Sequence, residues 1–320
     1  MNPYRAPAWL RGGHAQTIWP TFMRVPDTAR SRERVDTGDG DVWEFDWLAT
    51  PADANAPLVV LFHGLEGSVG SPYARALFAH LAALRWRGVV PHFRGCGGEP
   101  NRLPRAYHSG DHAEAAAILA AVRARVDAKT PLYVAGVSLG GSVLLNWLGR
   151  QGREAASIVR AAAAISAPLD LSAAGYAIGV GANRIYTRYF LHTLKPKALA
   201  MAARFPGLLD AKRVRGVRTM WEFDDAVTAP LHGFAGADDY WTRGSSKPWL
   251  ARVGVPTLVL NAKNDPFIPA SSLAHHAEVS AAVTLEQPSD GGHAGFVVGR
   301  APGRLDWLPR RLIRFFSDGV

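Results

Sequence analysis

The chain has 320 residues, 48% of them hydrophobic, enough for a large buried core, and its length fits one α/β domain, 1–320, carrying an insertion. Its 36 Lys plus Arg against 27 Asp plus Glu give a formal charge of +9, but the arginines are scattered without a dense run or a recognisable nucleic-acid module, so no nucleic-acid partner is expected. A single cysteine, Cys96, excludes an internal disulfide. No stretch approaches the roughly 18 apolar residues of a membrane span, and the first twenty residues lack the apolar segment of a signal peptide. These features predict a soluble, cytoplasmic protein.

In chain order, the first predicted element is DVWEFDWLA (41–49), where Trp43, Phe45 and Trp47 alternate as on an early antiparallel strand. PLVVLFHG (57–64) is a buried strand running into a polar loop, and residues 71–88 follow with Leu77, Leu81 and Leu84 on one helical face. A strand at 89–95 precedes a helix at 109–126, for which Ser109 or Asp111 is the cap. YVAGVSLGGSVLLNW (133–147) reads as strand, sharp turn and helix, and AAAAISAP (161–168) as a further strand. The alternation then lapses. Residues 169–249 hold aromatic and basic residues and short helical patterns but no strand pattern, which predicts a helical cap inserted over the strand ends. Strands return at 256–262 and 282–288, and 304–316 is a closing helix interrupted near Pro309. The alternation predicts a mostly parallel sheet covered on both faces by helices.

The turn at 136–140 is Gly-Val-Ser-Leu-Gly, the G-x-S-x-G pattern that presents a serine on a strained strand-to-helix corner. Gly136 and Gly140 leave room for strand and helix to approach. A serine nucleophile needs a base, and the base needs an acid to orient it; on this kind of sheet the chain order is serine, acid, histidine. Asp265 follows the strand at 256–262 and is held extended by Pro266, and His293 lies in the glycine-rich loop SDGGHAGF after the last strand. Ser138, Asp265 and His293 are therefore the candidate triad. Asp290 shares the histidine loop and is read as shaping it, while no strand fixes Asp224 or Asp225. The oxyanion donors are expected to be the backbone N–H groups of Leu139, directly after the serine, and Leu65, in HGLEGS (63–68), with Gly64 letting the backbone turn. His63 is read as a brace for that loop.

Other patterns point to ordinary structure. His108 and His112 stand four apart beside Asp111, but without a third ligand they read as loop bracing and capping rather than a metal site. RGCGGEPN (94–101) lacks the Lys-Ser/Thr of a phosphate loop, and GVGAN lacks the third glycine of a dinucleotide site. Cys96 lies near Arg94 and is expected to be buried and inert.

With these residues assembled, the chain resembles the α/β-hydrolase superfamily, and within it the YheT-like, ABHD-related branch. The marks are GGHAQTIWP near the start, HGLEGS, FRGCGGEPNRLPRAYHSGD, GVSLGG, WEFDDAVTAPLHGF with DDYW, and VPTLVLNAKNDPFIP. The resemblance implies the α/β-hydrolase fold, the triad Ser138, Asp265 and His293, no cofactor and no metal, and hydrolysis of small-molecule or lipid-like esters. It leaves substrate and oligomeric state open. Two alternatives stand beside a serine carboxylesterase: a peripheral membrane lipase using the basic surface, and a binding scaffold without catalysis.

Overall fold

The computed structural model describes residues 4–52 and 55–318. Its centre is an eight-stranded sheet in the order β1-β2-β4-β3-β5-β6-β7-β8. The strands are β1 (Arg30–Asp36), β2 (Val42–Leu48), β3 (Leu58–Phe62), β4 (Arg87–His92), β5 (Leu132–Val137), β6 (Ala161–Ile165), β7 (Thr257–Leu260) and β8 (Val283–Glu286). β1 pairs antiparallel with β2 and β2 with β4; the remaining pairings are parallel. β1, RSRERVD, has no counterpart among the predicted strands. It is a mostly polar edge strand, the kind that charge protects from pairing with other chains and that hydrophobic periodicity does not register.

The central strands are apolar throughout because both faces are covered. In β3, Leu58, Val60 and Phe62 point to one face and Val59 and Leu61 to the other, and all are buried. The first face packs α3 (His112–Arg123) and α4 (Leu139–Gln151); the second packs α2 (Pro72–Ala83) and the C-terminal α11 (Trp307–Asp318), where Phe316 stacks on Tyr133 at 4.8 Å between ring centroids. Asp111 caps α3, accepting the Glu114 N–H at 3.2 Å. Pro309 does not interrupt α11. It lies in the first turn, where a helix has no use for that N–H, and it is buried.

Between β6 and β7 the chain forms helices only: α5 (Leu171–Ile178), α6 (Arg184–Arg204), α7 (Ala211–Gly216), α8 (Met220–Phe223), a π-turn at Asp224–Thr228, α9 (Ala229–His232) and α10 (Ala237–Gly244). They carry small cores of their own, one around Leu191, Leu194, Val214 and Phe223. A short helix near the N-terminus, α1 (Gly13–Ile18), continues into a 3₁₀ turn at Trp19–Phe22. Among the described residues no helix is both long and apolar enough to cross a membrane.

Candidate active site

Parallel strands deliver their following loops to one edge of the sheet, and in open α/β sheets that edge is where ligands bind. Ser138 leaves β5, Asp265 follows β7 and His293 follows β8, so the topology alone brings the three to the same edge.

Ser138 sits at the corner between β5 and α4 with φ 55° and ψ −122°, a conformation L-residues rarely adopt. The corner closes because its flanking glycines have no side chains. A Cβ on Gly136 would stand 2.5 Å from the Gly140 carbonyl oxygen, and one on Gly140 would stand 2.5 Å from the carbonyl oxygens of Phe62 and His63. The hydroxyl so presented lies 2.9 Å from His293 Nε2. His293 Nδ1 lies 2.8 Å from Asp265 Oδ2, and the Asp265 carboxylate is fully buried. Phe267 packs on the imidazole at 4.1 Å between ring centroids. Asp290 does not approach this relay; its Oδ1 accepts from Asn264 Nδ2 at 3.2 Å, shaping the loop.

The loop after β3 lies against the serine. A Cβ on Gly64 would come 3.2 Å from the Ser138 Cβ, so Gly64 serves close approach rather than a turn; the left-handed residue is Glu66, at φ 55°. In this loop the Gly64 N–H donates to Tyr73 Oη (2.9 Å), Glu66 N–H to Tyr107 Oη (2.9 Å), Gly67 N–H to Gly64 O (2.9 Å) and Ser68 N–H to Ser71 Oγ (3.1 Å). Among the described residues, the Leu65 N–H has no acceptor, and neither does the Leu139 N–H at the start of α4. Both residues line the cavity that Ser138 enters. His63 braces the loop: Nδ1–H donates to Gly64 O at 2.8 Å and Nε2 accepts the Phe93 N–H at 3.1 Å, while burial pushes its pKa down to about 3.

Ser138 stands between two cavities. The larger, about 590 Å³, is roofed by the helices between β6 and β7, with Phe190, Leu194, Met201, Phe223 and Val227 in its wall. The smaller, about 210 Å³, is bounded by Thr17, Thr21, Ser71, Tyr73 and Tyr189 and by the start of α11. Asp224, set aside at the sequence level, lines the larger cavity as a buried carboxyl that accepts from Thr228 Oγ1 (2.6 Å) and Trp241 Nε1 (2.8 Å); burial pushes its pKa up to about 6. Asp225 instead pairs with Arg213.

Sequence reasoning missed the role of α1. The Thr17 Oγ1 accepts the His293 N–H at 2.8 Å, and Gln16 Oε1 accepts the Val297 N–H at 2.8 Å and the Tyr4 hydroxyl at 2.9 Å. A Cβ on Gly13 would be 1.8 Å from the Asn264 carbonyl oxygen, beside Asp265. α1 therefore braces both the acid loop and the histidine loop. The GGHAQTIWP stretch, one of the marks of the family resemblance, was the available signal.

No group of three metal-ligating side chains occurs among the described residues. His108 accepts the Gly110 N–H with Nδ1 at 3.2 Å, and burial pushes its pKa down to about 3. The Cys96 thiol is pushed up to about 11, chiefly by burial.

The strand order, the serine corner and the hydrogen-bonded relay at the sheet edge together define one class of protein. Residues 57–299 match the family described as alpha/beta hydrolase fold, and the chain belongs to that family. Within it, the chain is a YheT-like, ABHD-related hydrolase: it is 39% identical to the Escherichia coli protein YheT over 303 residues, 93% of this chain and 88% of that one. It is 29% identical to human phospholipase ABHD3 over 99% of this chain and 79% of that one. The same fold is seen in the Pyrococcus furiosus esterase Pf2001, at TM-score 0.58 and 15% identity with 91% of each chain covered.

Proposed function

We propose that the protein is a serine hydrolase of carboxylic esters with a substantial apolar acyl part, working without a cofactor in the cytoplasm. The observation that carries this reading is the unbroken relay from Ser138 Oγ through His293 to the buried Asp265, opening beside two unpaired N–H groups. His293 takes the serine proton as Oγ attacks the ester carbonyl, and the negative oxygen that forms is held by the Leu139 and Leu65 N–H groups. His293 then returns the proton to the departing alcohol. Water repeats the cycle on the acyl-enzyme and releases the acid. Asp265 fixes the imidazole tautomer and balances its charge.

The helices at 169–249 act in this reading as the substrate cap, because the cavity they roof is largely apolar and large enough for an acyl chain. The names of relatives agree with lipid-like esters: ABHD3 is a phospholipase, and a yeast protein 26% identical over 83% of this chain is a monoacylglycerol lipase. Reaction with a fluorophosphonate and turnover of p-nitrophenyl esters test the proposal. Wild type is expected to be labelled at Ser138 and to turn over; Ser138→Ala, still folded, is expected to do neither. Full turnover by a pure Ser138→Ala sample would overturn it.

A further inference from the structure

Charge is distributed unevenly around the site. Residues 1–26 and 171–209 together contain eight Lys and Arg and not one Asp or Glu, although the whole chain has 27 acidic residues. These are two of the segments that meet at the mouth of the site. Thr17, Pro20 and Thr21 from the first and Tyr189 and Phe190 from the second line one cavity with Ser138 and His293, and His14 Nδ1 lies 2.9 Å from the Tyr186 hydroxyl. The absence of acids is therefore shared by two segments that meet in space; the acid that lines the same cavity, Glu66, comes from another loop and is held by Lys197.

The same region carries apolar side chains that the fold leaves in water. Phe22 is 75% exposed, Tyr189 71%, Ile185 60% and Ile18 37%. On α6 the helical repeat separates two functions. Tyr186, Phe190, Leu194 and Ala198 face inward to core and cavity, whereas Ile185 and Tyr189, four apart, share an outer face beside Arg184 and Arg188. Elsewhere in the chain exposed arginines are commonly paired, as Arg30 is with Asp27 and Arg314 with Asp318. Among the described residues, Arg24, Arg184 and Arg188 form no ion pair. The basic groups of these segments that do have partners are turned toward the protein: Lys197 to Glu66, Lys195 to the carbonyls of Arg215 and Val217.

We propose that this face, Ile18 and Phe22 with Arg184, Ile185, Arg188 and Tyr189, docks the protein on an anionic lipid bilayer with the site mouth toward the membrane. Exposed aromatic and branched side chains enter the headgroup boundary, and unpaired arginines meet anionic lipid. Apolar burial and attraction to anionic lipid add in such binding, so the two on one face hold it more strongly than either alone. An apolar patch without charge would fit a second copy of the chain, and a basic patch without apolar groups would fit a nucleic acid. The combination of the two, on segments that carry no acid of their own, is complementary to a negatively charged lipid surface. The inference rests on the ester-hydrolase reading only for its purpose, which is delivery of a lipid-like ester from the bilayer into the cavity.

Binding is measured without turnover, so the two readings fail separately. Full-length Ser138→Ala protein is sedimented with vesicles of phosphatidylcholine, alone or with phosphatidylglycerol at about one third. Binding to the anionic vesicles and little to the neutral ones is expected. Arg184→Gln with Arg188→Gln should weaken it roughly 30-fold, at about one kcal/mol for each charge near the surface. Phe22→Ser with Ile185→Ser should weaken it at least tenfold. Both pairs, made again with Ser138 intact, should keep hydrolysis of soluble p-nitrophenyl acetate, which shows that they fold. No binding to anionic vesicles, equal binding by all variants, preferential binding of an RNA homopolymer, or a dimer in sedimentation that the Phe22/Ile185 pair abolishes would each overturn the proposal.

Discussion

Asp265 holds His293 with one carboxylate oxygen and its own loop with the other: Oδ2 lies 2.8 Å from His293 Nδ1, and Oδ1 accepts the Phe267 N–H at 2.8 Å. Phe267 in turn packs on the same imidazole. In the proposed mechanism its own loop thus fixes the acid that orients the base. Asp265→Asn should lower kcat by about 10⁴-fold, as expected when a triad carboxylate loses control of the histidine tautomer. Asp290→Asn, which alters only a contact to Asn264, should stay within about threefold of wild type. Steady-state kinetics on a p-nitrophenyl ester checks both, and a more damaging Asp290 variant would reassign the acid.

In the proposed mechanism Thr17 is a positioning residue for the base. Thr17→Val keeps the shape but removes the acceptor of the His293 N–H. A lost hydrogen bond of this kind is worth on the order of 1 kcal/mol, so kcat should fall roughly five- to tenfold with KM within about twofold. Thr17→Ser should restore it. A valine variant with unchanged kcat, or a serine variant that rescues nothing, would leave Thr17 without that role.

The serine corner sets a steric test. Gly140→Ala puts a methyl 2.5 Å from two backbone oxygens that cannot move independently of β3. Such overpacking costs at least 1–3 kcal/mol, which should lower Tm by several degrees or prevent folding. Gly216→Ala, where nothing lies within 4 Å, is the matched control and should leave Tm unchanged or slightly raised. Differential scanning calorimetry separates the two outcomes.

Stability should fall in acid. Burial holds His63 and His108 down at about 3, whereas the unfolded side chains titrate near 6.5. Between those values the unfolded chain binds more protons, so the stability present above pH 6.5 declines as pH drops, by up to about 1.4 kcal/mol per pH unit for each histidine. Asp224 acts with the opposite sign. Its folded pKa, up at about 6 against the ordinary 3.8, makes a contribution that is full below about pH 4 and lost as pH rises through 6. Urea unfolding at pH 4.5 and 7 should therefore show a shallower acid loss for His108→Gln than for wild type, and a steeper one for Asp224→Asn.

Acyl length should be read by the larger cavity. Each buried CH₂ contributes about 0.8 kcal/mol, so kcat/KM across acetate to octanoate esters should climb roughly fourfold per carbon until the chain outgrows the space. Phe190→Ala enlarges that space and should move the preferred length upward while leaving fluorophosphonate labelling of Ser138 within about threefold. An unchanged length profile would show that the helices between β6 and β7 do not roof the substrate.

Most of the relay was legible because each member carries a local physical signature. Ser138 stands between glycines that only a tight corner requires, Asp265 precedes a proline after an apolar run, and His293 lies in a glycine-rich loop after another. The Leu65 N–H is legible in the sequence from its loop and Gly64 alone; what leaves it free is that the neighbouring amides are taken by Tyr73, Tyr107 and Ser71, partners that lie up to 41 residues away. β1 escaped because a charged edge strand has no buried stripe to betray it. Thr17 and Gln16 escaped for another reason: their partners are 276 and 281 residues distant, and no periodicity within a window can express such a pairing.

The brace between α1 and the histidine loop also orders events during synthesis. Ser138 and His293 are 155 residues apart, so at about 5–20 residues per second the serine corner is made on the order of 10–30 s before its base. Over most of that interval α1, already made, has neither the acid loop nor the histidine loop to hold. In the proposed mechanism the nascent chain then carries a serine with no proton acceptor, and it becomes reactive only when the last strand and the histidine loop arrive. On that mechanism a ribosome that stalls before His293 leaves behind an inert fragment rather than an uncontrolled hydrolase.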